Sequence, residues 1–489
     1  MAPQHKRPDV ATLHFPQGDS QGALLDRGNA LARTYVGKDA TYPERLFKAY
    51  KTHCFKSMGI IETAYDESAR LFRHKRLRIT YPHEWTPTML KQAVLFHLDL
   101  LIELDAVGWT LKDALPENIL FEDGRPVFVD FFSLVTDDDL SKESWLPRHP
   151  LGPRYSVLHT MFIPYMLLPL LCYASRNYTL GKQMLATAFC NNAESASPYA
   201  LFPLKPRLQT LTKAKLKLIL NRSVDPNIFI HARIADILLA RTISWRDTVV
   251  QLRSFIIGLT VTEGGSGYTS YYADKKENFP LADTRGWQEK QRAYASCIQQ
   301  YRPVSLLELG ANTGWFPQLA AMHGAKVIAS DIDVACAEHL HHVATLRREH
   351  ITSLWMSFDE FTAQAFSLDA QGKRHTHPLH MPATARLNCE AVSCLGLFHH
   401  LTLGMGKSFA DVFAVLARLA ERVLILEFIT LDDPLIRQNP DFFPCLDQWN
   451  EQTYAFERVL DAASGCFTLR NRLTSTPADT RSILVFEKS

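Results

Sequence analysis

The chain has 489 residues, 46% of them hydrophobic, and 53 Lys and Arg against 51 Asp and Glu leave a net charge of +2. That length suits two or three domains with real cores, and nothing in the charge announces the basic domain by which nucleic-acid binding is usually recognised. Nine cysteines are scattered without a C-x-x-C pair, which points to reduced thiols and a cytoplasmic protein.

Residues 1–30 are polar and show no sustained period, so a loosely ordered lead-in is expected. No apolar stretch follows the first positive charges, and no secretory signal is expected. Residues 31–150 predict an α+β unit. Between Tyr42 and Ile79 short apolar runs predict strands and a helix, with Arg70, Arg73, Lys75, Arg76 and Arg78 on a solvated face. From Leu90 to Leu104 apolar residues recur at helical spacing behind Pro87. Then Asp113 is followed five positions later by Asn118, a short strand, a turn and an apolar strand ending in Asp130. This is the spacing of a kinase-like catalytic and metal-binding loop, in which Asp113 would accept a hydroxyl proton while Asn118 and Asp130 hold magnesium. Leu111-Lys112 replaces His-Arg, Phe131 replaces the glycine after Asp130, and no glycine-rich nucleotide loop is legible in an upstream stretch short for a second lobe. The unit therefore reads as a partly kinase-like lobe that has lost phosphotransfer and serves as scaffold or substrate platform. The plain alternative for all three residues is turn chemistry.

Residues 151–260 predict a helical region packed on that unit. Val157 to Ala174 is apolar but holds His159, Pro164 and Pro169, so buried helices are expected rather than a membrane span. Ser195 to Val224 lacks acids and carries Lys205, Arg207, Lys213, Lys215, Lys217 and Arg222, a wet helix face or a landing strip for an anionic substrate. Over 261–300, Gly264-Gly-Ser-Gly267-Tyr268 and Tyr271-Tyr272 predict a linker or a lid, followed by a helix from Trp287 to Tyr301.

Residues 301–489 carry the informative stretch. Val304-Ser-Leu-Leu-Glu308-Leu-Gly310-Ala-Asn312-Thr-Gly314-Trp315-Phe316, then Lys326-Val-Ile-Ala-Ser-Asp331-Ile332-Asp333, predict strand, turn, helix and second strand of a doubly wound sheet. The glycines do not make G-x-G-x-x-G, so pyrophosphate is not expected. Glu308 would repel a phosphate but suits an ammonium group. Asp331, 21 residues after Gly310, stands where an acid meets ribose hydroxyls. An adenosyl ligand with a cationic amino-acid tail satisfies both acids, and that ligand is S-adenosylmethionine.

At these residues the chain resembles the class I S-adenosylmethionine-dependent methyltransferases. More narrowly, the Gly310 to Phe316 run, Cys394-Leu395-Gly-Leu-Phe-His399-His400-Leu401 and Leu426-Glu427-Phe428 look like the nodulation-protein-like branch. Tyr81-Pro-His-Glu-Trp85, Leu111-Lys-Asp113-Ala and Val127-Phe-Val-Asp130-Phe-Phe-Ser133 look like its N-terminal portion. The resemblance implies an α/β fold with a Rossmann-like sheet ending in an antiparallel pair, matched here by apolar runs at Cys466 to Leu473 and Thr480 to Glu487. It implies cofactor contacts from Glu308, Gly310, Asn312, Gly314, Trp315, Asp331, Ile332 and Leu395. Asp359 is a displaced candidate near the adenine, because Ser357 stands where an acid is usual.

Glu390 to Phe398 reads as a strand buried on both faces, and His399-His400 follows its carboxyl end, where ligands gather in open parallel sheets. One imidazole could remove the acceptor proton, or it could simply bond a loop carbonyl. Glu427 ends another buried strand and would orient a histidine or substrate, or tie the loop. His375, His377 and His380 read as a surface insertion between Gln371 and Arg386, since no Cys or acid has the spacing of a zinc site. These readings add up to methylation, O-directed, of a sugar, glycan or specialised metabolite recognised by the N-terminal region, with S-adenosylhomocysteine as the spent cofactor. The rivals are a bifunctional methyltransferase and phosphotransferase, and a non-catalytic module that binds the cofactor to regulate a partner.

Overall fold

The computed structural model describes residues 12–13, 22–26, 30–190, 244–262, 265–274, 280–363, 366–368, 374–376, 381–476 and 479–489. Most of the expected lead-in, the cationic strip at 195–224 and the side chains of His375, His377 and His380 lie outside the described residues.

The N-terminal sheet has five antiparallel strands, β1 (Thr12–Leu13), β2 (Gly22–Asp26), β3 (Ala30–Tyr35), β4 (Thr63–Asp66) and β5 (Leu71–Lys75), in the order β1-β2-β3-β5-β4. Helix α1 (Tyr42–Thr52) joins the third strand to the fourth. Pro43 starts it, and Leu46, Phe47, Ala49 and Tyr50 bury one face, the spacing of an amphipathic helix. In a stretch expected to be short for a lobe, strands of two to six residues each leave room for a five-stranded sheet. Helix α2 (Pro87–Asp105) follows, capped by the Thr86 hydroxyl, which accepts from the Met89 amide at 3.3 Å. Beyond it β6 (Thr110–Leu111) pairs with β9 (Leu134–Val135), and β7 (Ile119–Glu122) with β8 (Arg125–Phe128). The β7-β8 turn is Asp123-Gly124, both at positive φ (50° and 72°), the conformation a two-residue hairpin requires.

Helix α3 (Pro153–Ala174) is long and apolar enough to cross a membrane, but 72% of its apolar window is buried inside the protein. Its central Leu158–Leu167 turns are π-helical around Pro164, where the missing proline N–H interrupts an α ladder. Among the described residues of the middle, helices α4 (Tyr178–Cys190) and α5 (Trp245–Ile257) follow, and α5 packs along α2.

The second sheet has seven strands, β10 (Ser305–Leu309), β11 (Lys326–Asp331), β12 (Ile351–Trp355), β15 (Cys389–Cys394), β16 (Ala420–Ile429), β17 (Phe467–Thr474) and β18 (Arg481–Lys488), in the order β12-β11-β10-β15-β16-β18-β17. The first five are parallel, and β18 is inserted between β16 and β17, antiparallel to both. A small hairpin, β13 (Phe366–Leu368) with β14 (Arg374–Thr376), projects between β12 and β15. Strand parity sorts the two faces. Leu306, Val327, Ala329, Ala391, Val423 and Ile425 meet α6 (Glu289–Tyr301), α7 (Trp315–Met322) and α8 (Val334–Arg347) in one cluster. Leu307, Leu309, Val392, Leu424 and Leu426 face α9 (Phe409–Leu419) and α10 (Phe456–Ala463), and that cluster continues without a break through α2, α3 and the N-terminal sheet.

The junction is polar as well as apolar. Arg386 forks onto Glu84, both nearly inaccessible (3% and 2% of the side chain), and lies 4.0 Å over the Tyr81 ring. Lys182 meets Glu360 at 2.8 Å, and the Thr88 amide donates to Glu338 Oε1 at 2.6 Å. The Gln371 to Arg386 stretch is thus corrected at its end: Ala383, Thr384 and Arg386 are interior, because the guanidinium finds its carboxylate across the junction.

Candidate active site

The turn after β10 runs through Gly310 (φ 70°), Asn312 (φ 50°) and Gly314 (φ 92°). A Cβ on Gly314 would come within 2.2 Å of Leu340 Cδ1, so glycine here permits both the left-handed backbone and the close approach of α8. The amides of Gly310 and Ala311 donate to the Ser330 carbonyl at 2.9 and 3.0 Å. Asp331, at the end of β11, fastens the turn: Oδ2 accepts from the Asn312 amide at 2.7 Å and Oδ1 from the Asp333 amide at 2.8 Å. Burial pushes its carboxyl above the usual range against those two amides. Ile332 beside it is 71% exposed, an apolar surface on the crevice rim. The Asn312 side-chain amide donates to the Tyr268 carbonyl at 3.1 Å, so the segment expected as linker or lid touches the turn.

Glu308 is interior, and the Ser393 hydroxyl of the neighbouring strand donates to it. Burial pushes its carboxyl up to about 8, against the pull of Ser393 and of the Lys290 ammonium. Sequence reasoning missed Lys290. Its Nζ lies 2.6 Å from Glu427 Oε2, while the Ser475 hydroxyl donates to Glu427 Oε1 at 3.3 Å. The available signal was its place one turn before Tyr294 and two before Ile298, a cation on the buried stripe of α6. For Glu427 the expected roles are to orient a histidine or substrate, or to tie the loop. Parity puts it with Val423 and Ile425 on the α6 face of the sheet, and its partners are Lys290 and Ser475.

His399 and His400 open the π-helical turn His400–Gly404 after β15, their ring centroids 4.2 Å apart and each within 6 Å of Phe443 (5.7 and 5.6 Å). His399 is 2% exposed, and neither ring nitrogen has a hydrogen-bond partner among the described residues. Burial first, then His400, Arg481 and Lys290, hold its pKa well below the ordinary value, outweighing Asp433. The ring is neutral at physiological pH and one nitrogen is a bare acceptor.

Three of the residues expected at the cofactor have their side chains packed or paired within the protein. The Trp315 ring is 5% exposed and packs edge-on against Trp287 and Phe316, at 5.3 and 5.1 Å, because the first residue of α7 turns inward. The Leu395 side chain is likewise in the core. Asp359 is exposed and bound to Lys407 at 2.5 Å. In the N-terminal unit, Asn118 Nδ2 donates to Asp113 Oδ1 and the Val129 amide donates to the Asn118 carbonyl at 2.8 Å, so the loop residues do converge. Asp130 is bound by Arg33 of β3 at 3.0 Å, and that guanidinium lies 4.7 Å from the Phe132 ring centroid.

No family model matches the chain. It is similar to nodulation protein NoeA of Rhizobium meliloti (strain 1021), 26% identical over 431 residues, 86% of this chain and 82% of that protein. Solved structures that align include a TehB-like S-adenosylmethionine-dependent methyltransferase from Corynebacterium glutamicum (14% identity, 45% of this chain and 98% of that one, TM-score 0.30). The N-methyltransferase NodS from Bradyrhizobium japonicum WM9 aligns at 12% identity over 40% and 96% of the two chains, TM-score 0.28. The bifunctional kinase-methyltransferase WbdD aligns at 14% identity over 45% and 42%, TM-score 0.29. The fold assignment rests on strand order rather than on these superpositions. Five parallel strands followed by β18, inserted antiparallel between β16 and β17, give the α/β Rossmann-like sheet that the resemblance to class I S-adenosylmethionine-dependent methyltransferases implies, and the similarity to NoeA extends over most of the chain.

Proposed function

We propose that the enzyme methylates a hydroxyl of a sugar, glycan or specialised metabolite in the crevice at the carboxyl ends of β10, β11, β15 and β16. One observation carries the reading: two acids, the buried Glu308 and the half-buried Asp331, stand at the carboxyl ends of adjacent parallel strands on either side of a turn that no phosphate motif explains. Glu308 takes the ammonium of the methionyl tail, Asp331 the ribose hydroxyls, and Ile332 offers its exposed face to the adenine. When bound, the sulfonium supplies an electrophilic methyl carbon. The protein's part is to hold the acceptor oxygen in line and dry, an alignment worth up to about 7–11 kcal/mol in favourable cases. The bare nitrogen of His399 removes the acceptor proton, and His400, at the surface of the pair, positions the acceptor. The N-terminal region through residue 260 supplies the acceptor platform, and residues 301–489 the methyl-transfer unit.

Proton linkage tests the tail assignment. Glu308, held at about 8 in the empty protein, is protonated at neutral pH and must ionise to receive an ammonium. Binding therefore expels a proton, and affinity for S-adenosylhomocysteine falls as pH drops below 8, by about tenfold per unit. Calorimetry in buffers of different ionisation enthalpy reads the released proton directly. A pH-independent affinity with no proton release removes Glu308 from the tail site. For the base, His399→Ala is expected to lower kcat about 100- to 10,000-fold with cofactor affinity unchanged. His400→Ala should act mainly on the acceptor KM. Equal and small effects in both variants eliminate the proposed base.

A second reading concerns the N-terminal unit, which we propose is a kinase-like lobe without phosphotransfer. A five-stranded antiparallel sheet with a helix after its third strand precedes the Asp113–Asn118 loop and Asp130. Asp130, which would hold magnesium, is already neutralised by Arg33, and phosphotransfer needs all its parts together. The expected result is no loss of γ-phosphate from magnesium ATP, with or without acceptor. Turnover that Asp113→Asn abolishes would make the chain bifunctional.

A further inference from the structure

The residues assigned so far serve the cofactor and the acceptor's proton, and an acceptor also needs a surface for the part of it that does not react. We infer that the hollow formed by residues 440–447, between β16 and α10, is that acceptor subsite, and that it takes a non-anionic sugar. The inference rests on the methyltransferase reading above and deepens it.

Placement comes first. Pro440, Asp441, Phe443, Pro444, Leu446 and Asp447 line a hollow of about 490 Å³, within the ~300–1,000 Å³ of small-molecule sites. Phe443 belongs both to this hollow and to the candidate centre, since its ring lies 5.7 Å from that of His399 and 5.6 Å from that of His400. A molecule seated here is next to the residue that packs on both imidazoles. His399, 2% exposed and without a partner for either ring nitrogen among the described residues, is the buried polar group that a hydroxyl of the same molecule would satisfy. The hollow is also held in shape. The Cys445 amide donates to the Leu403 carbonyl at 2.9 Å, which ties the segment to the turn that His400 opens. Upstream Arg481 grips Asp433 at 2.8 Å, and downstream Trp449 stacks on Phe409, ring centroids 4.8 Å apart. Pinned at both ends, the hollow exists before anything binds, so little affinity is lost to ordering it.

The lining sets the chemistry of the occupant. Its six residues include two carboxylates and no cation. Of the acids in the loop after β16, Asp432 and Asp433 are paired with Arg437 and Arg481. Asp441 and Asp447 are exposed, and their carboxylates have no hydrogen-bond or ion-pair partner among the described residues. Two exposed acids on a loop are ordinarily a solvated face; what sets these apart is the hollow they share and its wall against the histidine pair. A carboxylate only accepts hydrogen bonds, so the pair suits a molecule rich in hydroxyl or ammonium donors. A phosphate, sulfate or carboxylate on the acceptor would meet two like charges that no lining cation offsets. Pro440, Phe443, Pro444 and Leu446 supply the apolar surface on which the C–H face of a sugar ring can rest, the mix of apolar wall and few polar groups that small-molecule sites use.

The test applies the full chain, loaded with S-adenosylhomocysteine, to an immobilised array of neutral, amine-bearing and acid-bearing oligosaccharides. The glycans retained should carry no carboxylate, phosphate or sulfate. Asp441→Ala with Asp447→Ala should weaken that retention roughly 10- to 100-fold, the range for one charge-assisted hydrogen bond. Both acids are exposed, so the double variant should fold, and calorimetric affinity for S-adenosylhomocysteine equal to the wild type's verifies that it has. Asp441→Lys with Asp447→Lys should weaken retention at least as far. A wild type that retains only acid-bearing glycans overturns the inference, and so does one that retains none, results that need no variant to fold. A double alanine variant with unchanged retention overturns it too. A wild type that fails to bind S-adenosylhomocysteine overturns the methyltransferase reading beneath it, an outcome the glycan measurements by themselves do not produce.

Discussion

Asp331→Ala is expected to abolish measurable binding of S-adenosylhomocysteine, a loss of at least 100-fold, in a protein that still folds. The carboxylate accepts two backbone amides, from Asn312 at 2.7 Å and Asp333 at 2.8 Å, and each charge-assisted bond is worth about 1.5–3 kcal/mol. Alanine releases the glycine turn from β11 and removes the proposed ribose acceptor together. Asn, with a single acceptor oxygen, must point an NH2 at one of the two amides, so Asp331→Asn is expected to lose at least tenfold. Stability runs the other way. Burial raises this carboxyl above its unfolded value, so its native form resists ionisation and its contribution to stability falls as pH rises past the unfolded pKa. Neutralising it should therefore cost little by denaturant midpoint near pH 7. Unchanged calorimetric affinity in Asp331→Ala would leave the crevice without its sugar contact.

The largest stability effect is expected from Arg386→Met. This guanidinium donates to Glu84 through two nitrogens, to the Met381 carbonyl at 3.1 Å and to the Ile79 carbonyl at 3.0 Å, with Tyr81 stacked on its face. Removing it strands a carboxylate of 2% side-chain exposure, at a cost of about 3–5 kcal/mol. Lysine cannot restore a planar fork with four acceptors around it, so Arg386→Lys should lose most of the same stability. Replacing both partners by apolar residues of similar volume should cost far less than either single change, because no charge is left buried. Burial raises the Glu84 carboxyl, but Arg386 outweighs it and holds the group below its ordinary value. The pair's contribution is therefore present above the unfolded pKa and lost as pH falls through the folded one. Urea midpoints for the two singles and the double complete the cycle, and additive effects would show that the fork carries no coupling.

Much of the second sheet was legible because β10, β11 and β15 are short apolar runs closed by an acid or a glycine. Glu308 and Asp331 stood out for the same reason, as charges at the ends of buried runs. Lys290 did not, because a cation on a helix ordinarily marks the wet face, and only the position of Tyr294 and Ile298 one and two turns on places it against the sheet. The partner of Glu427 was hidden by parity, since the strand's run from Val423 to Ile429 is apolar on both faces and does not say which side the acid takes. Trp315 reads as part of the glycine motif, yet packs inward because a large ring at the first turn of α7 has Trp287 to meet. Of the N-terminal sheet, β4 and β5 fall in the Tyr42 to Ile79 stretch that predicts strands, whereas β1, β2 and β3, of two to six residues, carry too little alternation to register, and Arg386 was missed because its carboxylate lies 302 positions away.

The apolar cluster that runs unbroken from the N-terminal strands into one face of the seven-stranded sheet bears on how this enzyme can change over time. The two halves cannot be swapped like cassettes, since excising either one bares the greasy wall the other covers.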